Sequence, residues 1–244
     1  GGGRSGRRRS ASSTSADARS RASARRSCAR SAPARAARPR LNAEAVRDQA
    51  LFVSGLLHQK LYGPSIYPPQ PDGLWRAAFN GTQYSPTMGP ERHRRGLYVV
   101  LRRTIPHPSM VAFDAPSREF CTSRRVTTNT PLQAFVTLND PIYVEAAQAL
   151  ARRLIQEGGT TPEERARFGL KLCLCVDPTE CQVQALVRLH ASELQHFSAR
   201  PEDARAASTE PLGALPDGMD AADAAAWTMV ASALLNMDPF LVRS

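Results

Sequence analysis

From residue 41 onward, hydrophobic positions recur with a helical period, and most runs open on capping residues. Asn42 precedes Ala43-Glu44-Ala45-Val46, and Val46, Leu51, Val53, Leu56 and Leu57 form an apolar stripe. This predicts a helix over 43–59 that ends near Tyr62-Gly63-Pro64. Thr130-Pro131-Leu132-Gln133 places Thr at the N-cap, Pro at the first helical position and Gln at the third, a capping-box pattern in which side chains satisfy the free N–H groups of the first turn. Thr161-Pro162-Glu163-Glu164 and Asp177-Pro178-Thr179-Glu180 repeat that grammar. Asp140-Pro141 opens a helix with apolar positions Ile142, Val144, Ala147, Leu150, Leu154 and Ile155, and Gly158-Gly159 closes it. Asp220 caps a predicted helix over 221–236. Leu97–Leu101 is the one candidate strand, a run too short to decide between a short hairpin and no sheet at all. Residues 63–73, with four Pro and two Gly, and the small, polar residues 200–219 read as loops. The predicted class is mainly α: an irregular multi-helix domain with long, ordered Pro/Gly-rich loops, preceded by a disordered Arg/Ser/Ala tail.

Charge changes the picture of the first 40 residues alone. The chain of 244 residues carries a formal +10, but residues 1–40 hold 12 Arg, no Lys and one acid, Asp17. The other 204 residues hold 20 basic and 21 acidic side chains, a net −1. The high pI is therefore no sign that the folded part binds nucleic acid, and such a partner is expected only through 1–40 if that segment is genuine. Residues 1–40 contain 10 Ala, 9 Ser and 4 Gly and no Leu, Ile, Val, Phe, Tyr, Trp or Met, too little apolar surface to offset the ordering entropy. The favoured reading of this tail is a frame or fragment artefact. A natural disordered extension, a transit-type leader and an Arg-rich phosphate-gripping arm are the alternatives. The longest apolar-leaning stretch, Ala224–Leu235, is 12 residues, short of the ~20 needed to span a bilayer.

Candidate chemistry is sparse. Cys173, Cys175 and Cys181 form a C-x-C-x5-C cluster, read as small buried hydrophobes rather than as metal ligands, so no metal site is predicted. No C-x-x-C-H occurs, so no covalently attached haem is expected on this chain, nor any other cofactor. The five His show no metal-ligand pairing; His93, in Glu91-Arg92-His93-Arg94-Arg95, reads as a solvated turn. His107, between two prolines, is a candidate base near Asp114, and the two are the candidate catalytic residues of a hydrolytic site, though nothing in the spacing places them together. The densest polar stretch, Cys121 to Thr130, feeds the helix at Pro131. Arg124, Arg125, Thr128 and Asn129 there are candidate ligands for an anion at a helix start. The favoured reading is structural: an Arg paired with Asp114 or another acid, and Thr128, Asn129 and Thr130 serving turn and cap donors.

A series of motifs in one order then becomes recognisable. Leu41-Asn-Ala-Glu-Ala-Val-Arg-Asp48, Gly63-Pro-Ser65, Gln70-Pro-Asp-Gly-Leu-Trp75, Arg94-Arg-Gly-Leu-Tyr98 and Pro108-Ser-Met110 come first. Phe113-Asp-Ala-Pro116, Cys121-Thr-Ser-Arg-Arg125, Thr128-Asn-Thr-Pro-Leu-Gln-Ala134, Leu138-Asn-Asp-Pro141 and the ending Ala226-Trp227, Leu234-Leu-Asn236, Asp238 follow. Over about 38–244 this resembles the planctomycete-type C-terminal domain of unknown function, found after a cytochrome c-like domain and a second uncharacterised domain. The resemblance implies no catalytic residue. It implies an exported or cell-envelope location, a larger multidomain protein, upstream domains as partners and a polysaccharide as a further one. The expected function is accordingly a noncatalytic interaction or scaffold module of that larger, cytochrome-associated protein. The alternative is a hydrolytic or glycan-binding domain acting on acidic or sulfated polysaccharide through His107, Asp114 and the Arg124–Asn129 stretch.

Overall fold

The computed structural model describes residues 39–77 and 84–242. The predicted disordered tail, up to residue 38, lies outside the described residues. Residues 38–244 form one compact unit. Among the described residues there are nine α-helices: α1 (Ala43–Ser54), α2 (Pro108–Ala112), α3 (Pro131–Asn139), α4 (Pro141–Glu157), α5 (Pro162–Leu174), α6 (Glu180–Ser198), α7 (Pro201–Thr209), α8 (Ala221–Leu235) and α9 (Asp238–Leu241). Single 3-10 turns lie at Leu74–Ala77, Pro90–His93 and Gly96–Tyr98. The fold is mainly α, as its apolar periodicity predicts.

Helix α8 is the centre. Ala224, Ala225, Ala226, Trp227, Val230, Ala231, Leu234 and Leu235 are all buried, so it is apolar around its whole circumference and enclosed by α4, α6 and α7. Its alanines let those neighbours approach closely. Gly169 of α5 does the same from the other side: a Cβ there would lie 3.0 Å from both Leu154 and Leu234. α1 packs against α4 through Ala43, Val46, Ala50 and Val53.

Capping chemistry explains most boundaries and several departures. Asp140 accepts from the Ile142 N–H, Asp220 from the Asp223 N–H, and Thr161 with Glu164 forms a full capping box. α1 stops at Ser54 rather than at 59, because Gly55 turns left-handed at φ 79° and its N–H returns to the Phe52 carbonyl. α6 begins at Glu180, two residues later than the Asp177-Pro178 pattern suggests. Thr179 and Gln182 make the reciprocal box there, and Asp177 is drawn to Lys171 at 3.0 Å. Thr130 makes no side-chain cap bond: the Gln133 N–H donates to the Thr130 carbonyl, and the Gln133 side chain, which would close the reciprocal half of a box, is occupied by Arg40 and the Thr128 carbonyl. Residues 201–209 are a helix and not a loop: Pro201 stands at its first turn with Glu202 and Asp203, and small Ala204 and Ser208 press onto the core. Small side chains make no visible hydrophobic stripe, so periodicity misses this helix.

Of the two alternatives at 97–101, the segment forms no strand among the described residues. Gly96–Tyr98 is a 3-10 turn, and Val99 makes one isolated bridge to Ile66, with Ile66 N–H on the Tyr98 carbonyl and Val100 N–H on the Ile66 carbonyl, both at 2.8 Å. The Pro-rich loop is pinned by Arg94, wholly buried, which donates to the carbonyls of Pro64, Tyr62 and Lys60 and lies 3.7 Å over the Tyr98 ring. Arg40, placed by composition in the tail, belongs to the fold: it bridges to Val242.

Candidate functional site

The two candidate catalytic residues face different partners. His107 caps α2 and is buried, with Nε2 3.0 Å from the Pro69 carbonyl and Nδ1 2.9 Å from the Ser109 hydroxyl. A carbonyl only accepts, so Nε2 carries the proton. Burial holds the ring below its ordinary value, and the Ser109 hydroxyl beside Nδ1 also bonds Asp140. The carboxylate beside it is Asp140, not Asp114. Burial pushes Asp140 up, against the opposing effects of the Ile142 N–H, His107 and Arg47. Asp114, at φ 60°, accepts instead from the Thr128 N–H at 2.6 Å and from the Thr128 hydroxyl. No hydrogen bond joins Asp114 to His107.

The candidate anion ligands are spread over three environments. Arg125 holds Glu44 of α1 in a two-pronged pair at 2.7 and 3.0 Å. Thr128 is taken by Asp114, and Asn129 accepts from Arg40 at 2.5 Å. Arg124 is exposed and makes no ion pair or hydrogen bond among the described residues. Glycine is required where the next loop meets α1: a Cβ on Gly96 would lie 2.9 Å from Glu44 Cα. The Gly96 N–H there donates to Asp48 at 2.5 Å.

His93 is not solvated. It is buried, with Nε2 3.0 Å from Glu145 of α4, and Arg92 binds the same carboxylate. Burial alone raises Glu145, but hydrogen bonds from His93 and Arg92 outweigh it and hold the carboxyl below its ordinary 4.5. A depressed carboxyl contributes stability above its unfolded pKa and loses it as pH falls through the folded one. Glu145→Gln is therefore expected to unfold more easily than wild type at about pH 7 and to differ little from it at about pH 3. Urea unfolding at the two pH values checks this; a difference independent of pH contradicts it.

The cysteine cluster does not converge either. Cys173 is buried, its thiol pushed up to about 12 by burial, whereas Cys175 caps α5 in the left-handed region and is exposed, as is Cys181. Only the first fits the small-hydrophobe reading. Among the described residues no group of three or more His, Cys, Asp or Glu is placed to hold a metal ion, and no helix is long and apolar enough to cross a membrane.

Several large apolar side chains of this region also face outward. Leu132, Phe135 and Leu138 stand one helical turn apart on α3, between 45% and 67% exposed. Val111 of α2, which packs against α3, and Phe120 and Val126 of the intervening loop are exposed as well. Beside them lies an open cleft of about 480 Å³ lined by Pro116, Arg118, Phe120, Thr122 and Arg125 among others. The i, i+3, i+6 spacing of Leu132, Phe135 and Leu138 was available in the sequence, but spacing alone does not tell a buried stripe from an open one.

Fold and site define a mainly helical domain in which Asp114 is paired with Thr128, Arg125 with Glu44 and His107 with the Pro69 carbonyl, and in which α3 leaves Leu132, Phe135 and Leu138 exposed. The chain belongs to the family of proteins of unknown function designated PSD1 (DUF1553), whose family model matches residues 8–190. That match begins inside the Arg/Ser/Ala segment and ends within α6, whereas the motif resemblance runs from about 38 to the C-terminal residues. No curated protein and no solved structure matches the chain.

Proposed function

We propose that this chain is a noncatalytic interaction or scaffold module that docks through the α3 face. The observation that carries this is the exposure of Leu132, Phe135 and Leu138 on a helix that contains no charged residue. Scattered single apolar residues on a surface are ordinary; a contiguous run along one helix with exposed neighbours marks a site of association. The inward pairing of Arg125, Asp114, Thr128, Asn129 and His107 is what a rigid platform for such a face needs. The motif resemblance supplies the partner: upstream domains of a larger, exported, cytochrome-associated polypeptide.

The test is titration calorimetry of this chain against a separately expressed upstream domain taken from a longer family member. Micromolar or tighter binding, weakened at least about 100-fold by Leu132→Asp with Phe135→Asp, is expected, since each tenfold step is only about 1.4 kcal/mol. Because both side chains are exposed, the double variant keeps the wild-type melting temperature. A monomer with no affinity for that domain overturns the reading.

A further inference from the structure

We propose that residues 69–75 form a strap that the His107 ring holds shut and that acidification releases. The chain just before the strap is firmly fixed. The Ile66 N–H donates to the Tyr98 carbonyl and the Thr87 N–H to the Tyr67 carbonyl, both at 2.8 Å, and the Tyr84 hydroxyl donates to the Pro68 carbonyl. From Pro69 to Trp75 the anchorage is thinner. Among the described residues, one hydrogen bond reaches this segment from elsewhere, that of His107 Nε2–H on the Pro69 carbonyl at 3.0 Å. Otherwise the strap rests on rings: Trp75 meets Tyr67 and Tyr84 edge to face, at 6.1 and 4.9 Å between centroids, and Arg102 lies over the indole at 4.6 Å. The buried indole N–H has no partner, so closure already carries an unfavourable component.

The catch is titratable and enclosed. His107 is buried at the start of α2. Two charged groups act on it: Arg47 of α1 opposes a charge on the ring, and Asp140 at the start of α4 favours one. α3 carries no charged residue, and Tyr143 of α4, which faces Asp140 and Arg47, is pushed up by burial and stays neutral. Burial outweighs Asp140 and the Pro69 carbonyl, so the closed ring lies below its ordinary 6.5. Once Pro69 departs, the ring meets water and that penalty disappears. A ring lowered in the closed form leaves the strap fully shut above 6.5 and loosens it as the pH falls through the closed-form value. Asp140 works the other way. Burial raises its carboxyl above 3.8, so it takes up a proton more readily in the closed form and offsets part of the release.

The experiment is acrylamide quenching of tryptophan fluorescence in the full chain. The chain has two Trp, and Trp227 is fully buried, so a change that disappears in Trp75→Phe belongs to the strap. Quenching is expected to rise at least about twofold between about pH 7.5 and about pH 5, with unchanged far-UV circular dichroism, as for a local opening. His107→Gln keeps an N–H for the Pro69 carbonyl but cannot titrate, so its quenching should stay low at both pH values. Asp140→Asn, which removes the opposing proton and the anion beside the ring, should enlarge the rise. No rise in the wild type, or the same rise in His107→Gln, overturns the proposal. If His107→Gln does not fold, the NMR titration of the His107 ring in the wild type decides. A ring that titrates together with the exposure of Trp75 supports the catch, and one that stays unchanged through that exposure overturns it.

Discussion

Trp227→Ala is expected to lower the unfolding free energy by about 3–5 kcal/mol, the range for truncating a large aromatic side chain in a packed core. Trp227 is fully buried in the middle of α8, and its ring stacks on His190 at 4.4 Å between centroids, 30° from parallel. His190 is held in place by Asp223, which its Nε2 meets at 2.8 Å, and Asp223 also takes Arg165 at 3.2 Å. The indole therefore fills the junction where α5, α6 and α8 meet, beside His190 and Arg165, and its loss leaves a cavity there. The indole N–H has no hydrogen-bond partner, so one component of its burial is already unfavourable. Trp227→Phe removes that orphan donor and keeps most of the ring, so its cost should be less than half that of the alanine variant. Equilibrium urea unfolding followed by far-UV circular dichroism measures both. Equal losses for the two would mean that the indole edge, rather than its bulk, carries the stabilisation.

Arg47→Met is expected to cost about 1–3 kcal/mol, because it leaves the Arg92 carbonyl without its donor and takes a cation from the neighbourhood of buried acids. Arg47 is 4% exposed, donates to the Arg92 carbonyl at 2.7 Å, and sits in the field of Asp48, Asp140, Glu145 and Tyr143. Burial draws its own pKa down, and these neighbours draw it back up. Methionine replaces the stem but not the charge. Glu145 keeps Arg92 and His93, so the residue most affected is Asp140, whose carboxyl burial already pushes up. The sign follows: a carboxyl raised in the folded state favours folding when protonated, and that contribution is lost as pH rises through its folded pKa. Without Arg47 the carboxyl rises further, so the penalty of the variant should be larger at pH 7 than near pH 4.5. Adding Asp140→Asn, which can still accept from the Ile142 N–H, should recover at least about 1 kcal/mol of it. Chemical denaturation of the single and double variants across pH checks this. A penalty that does not change with pH or with Asp140→Asn would show that Arg47 acts through packing of its stem.

These two residues mark where sequence reading stops. Trp227 and Arg47 both appear in the recognised motifs, yet nothing in their spacing says that one stacks on His190 or that the other lies beside Asp140. The same holds for His107. Its position between Pro106 and Pro108 placed it correctly in extended backbone, but its partners Pro69 and Ser109 come from a loop 38 residues away and from the next turn. Asp114 is near His107 in sequence, but the left-handed backbone at Asp114 and the return of the chain at Thr128 give that carboxylate a different partner.

Local physics, by contrast, was written plainly. The Thr161–Glu164 box, the caps at Asp140 and Asp220, and the 3.6-residue period of α4 depend on groups within one or two turns, so residue order alone determined them. The mainly helical class and the confinement of the basic excess to the first 40 residues were determined in the same way. Tertiary structure decided the rest. It made 201–209 a helix by supplying α8 as the surface for its small side chains, and it gave Asp114 to Thr128, Arg125 to Glu44 and His107 to the Pro69 carbonyl. It also left Leu132, Phe135 and Leu138 uncovered. The division has one cause: caps and periods are satisfied by neighbours in the chain, whereas burial, ion pairing and exposure depend on which distant segments arrive.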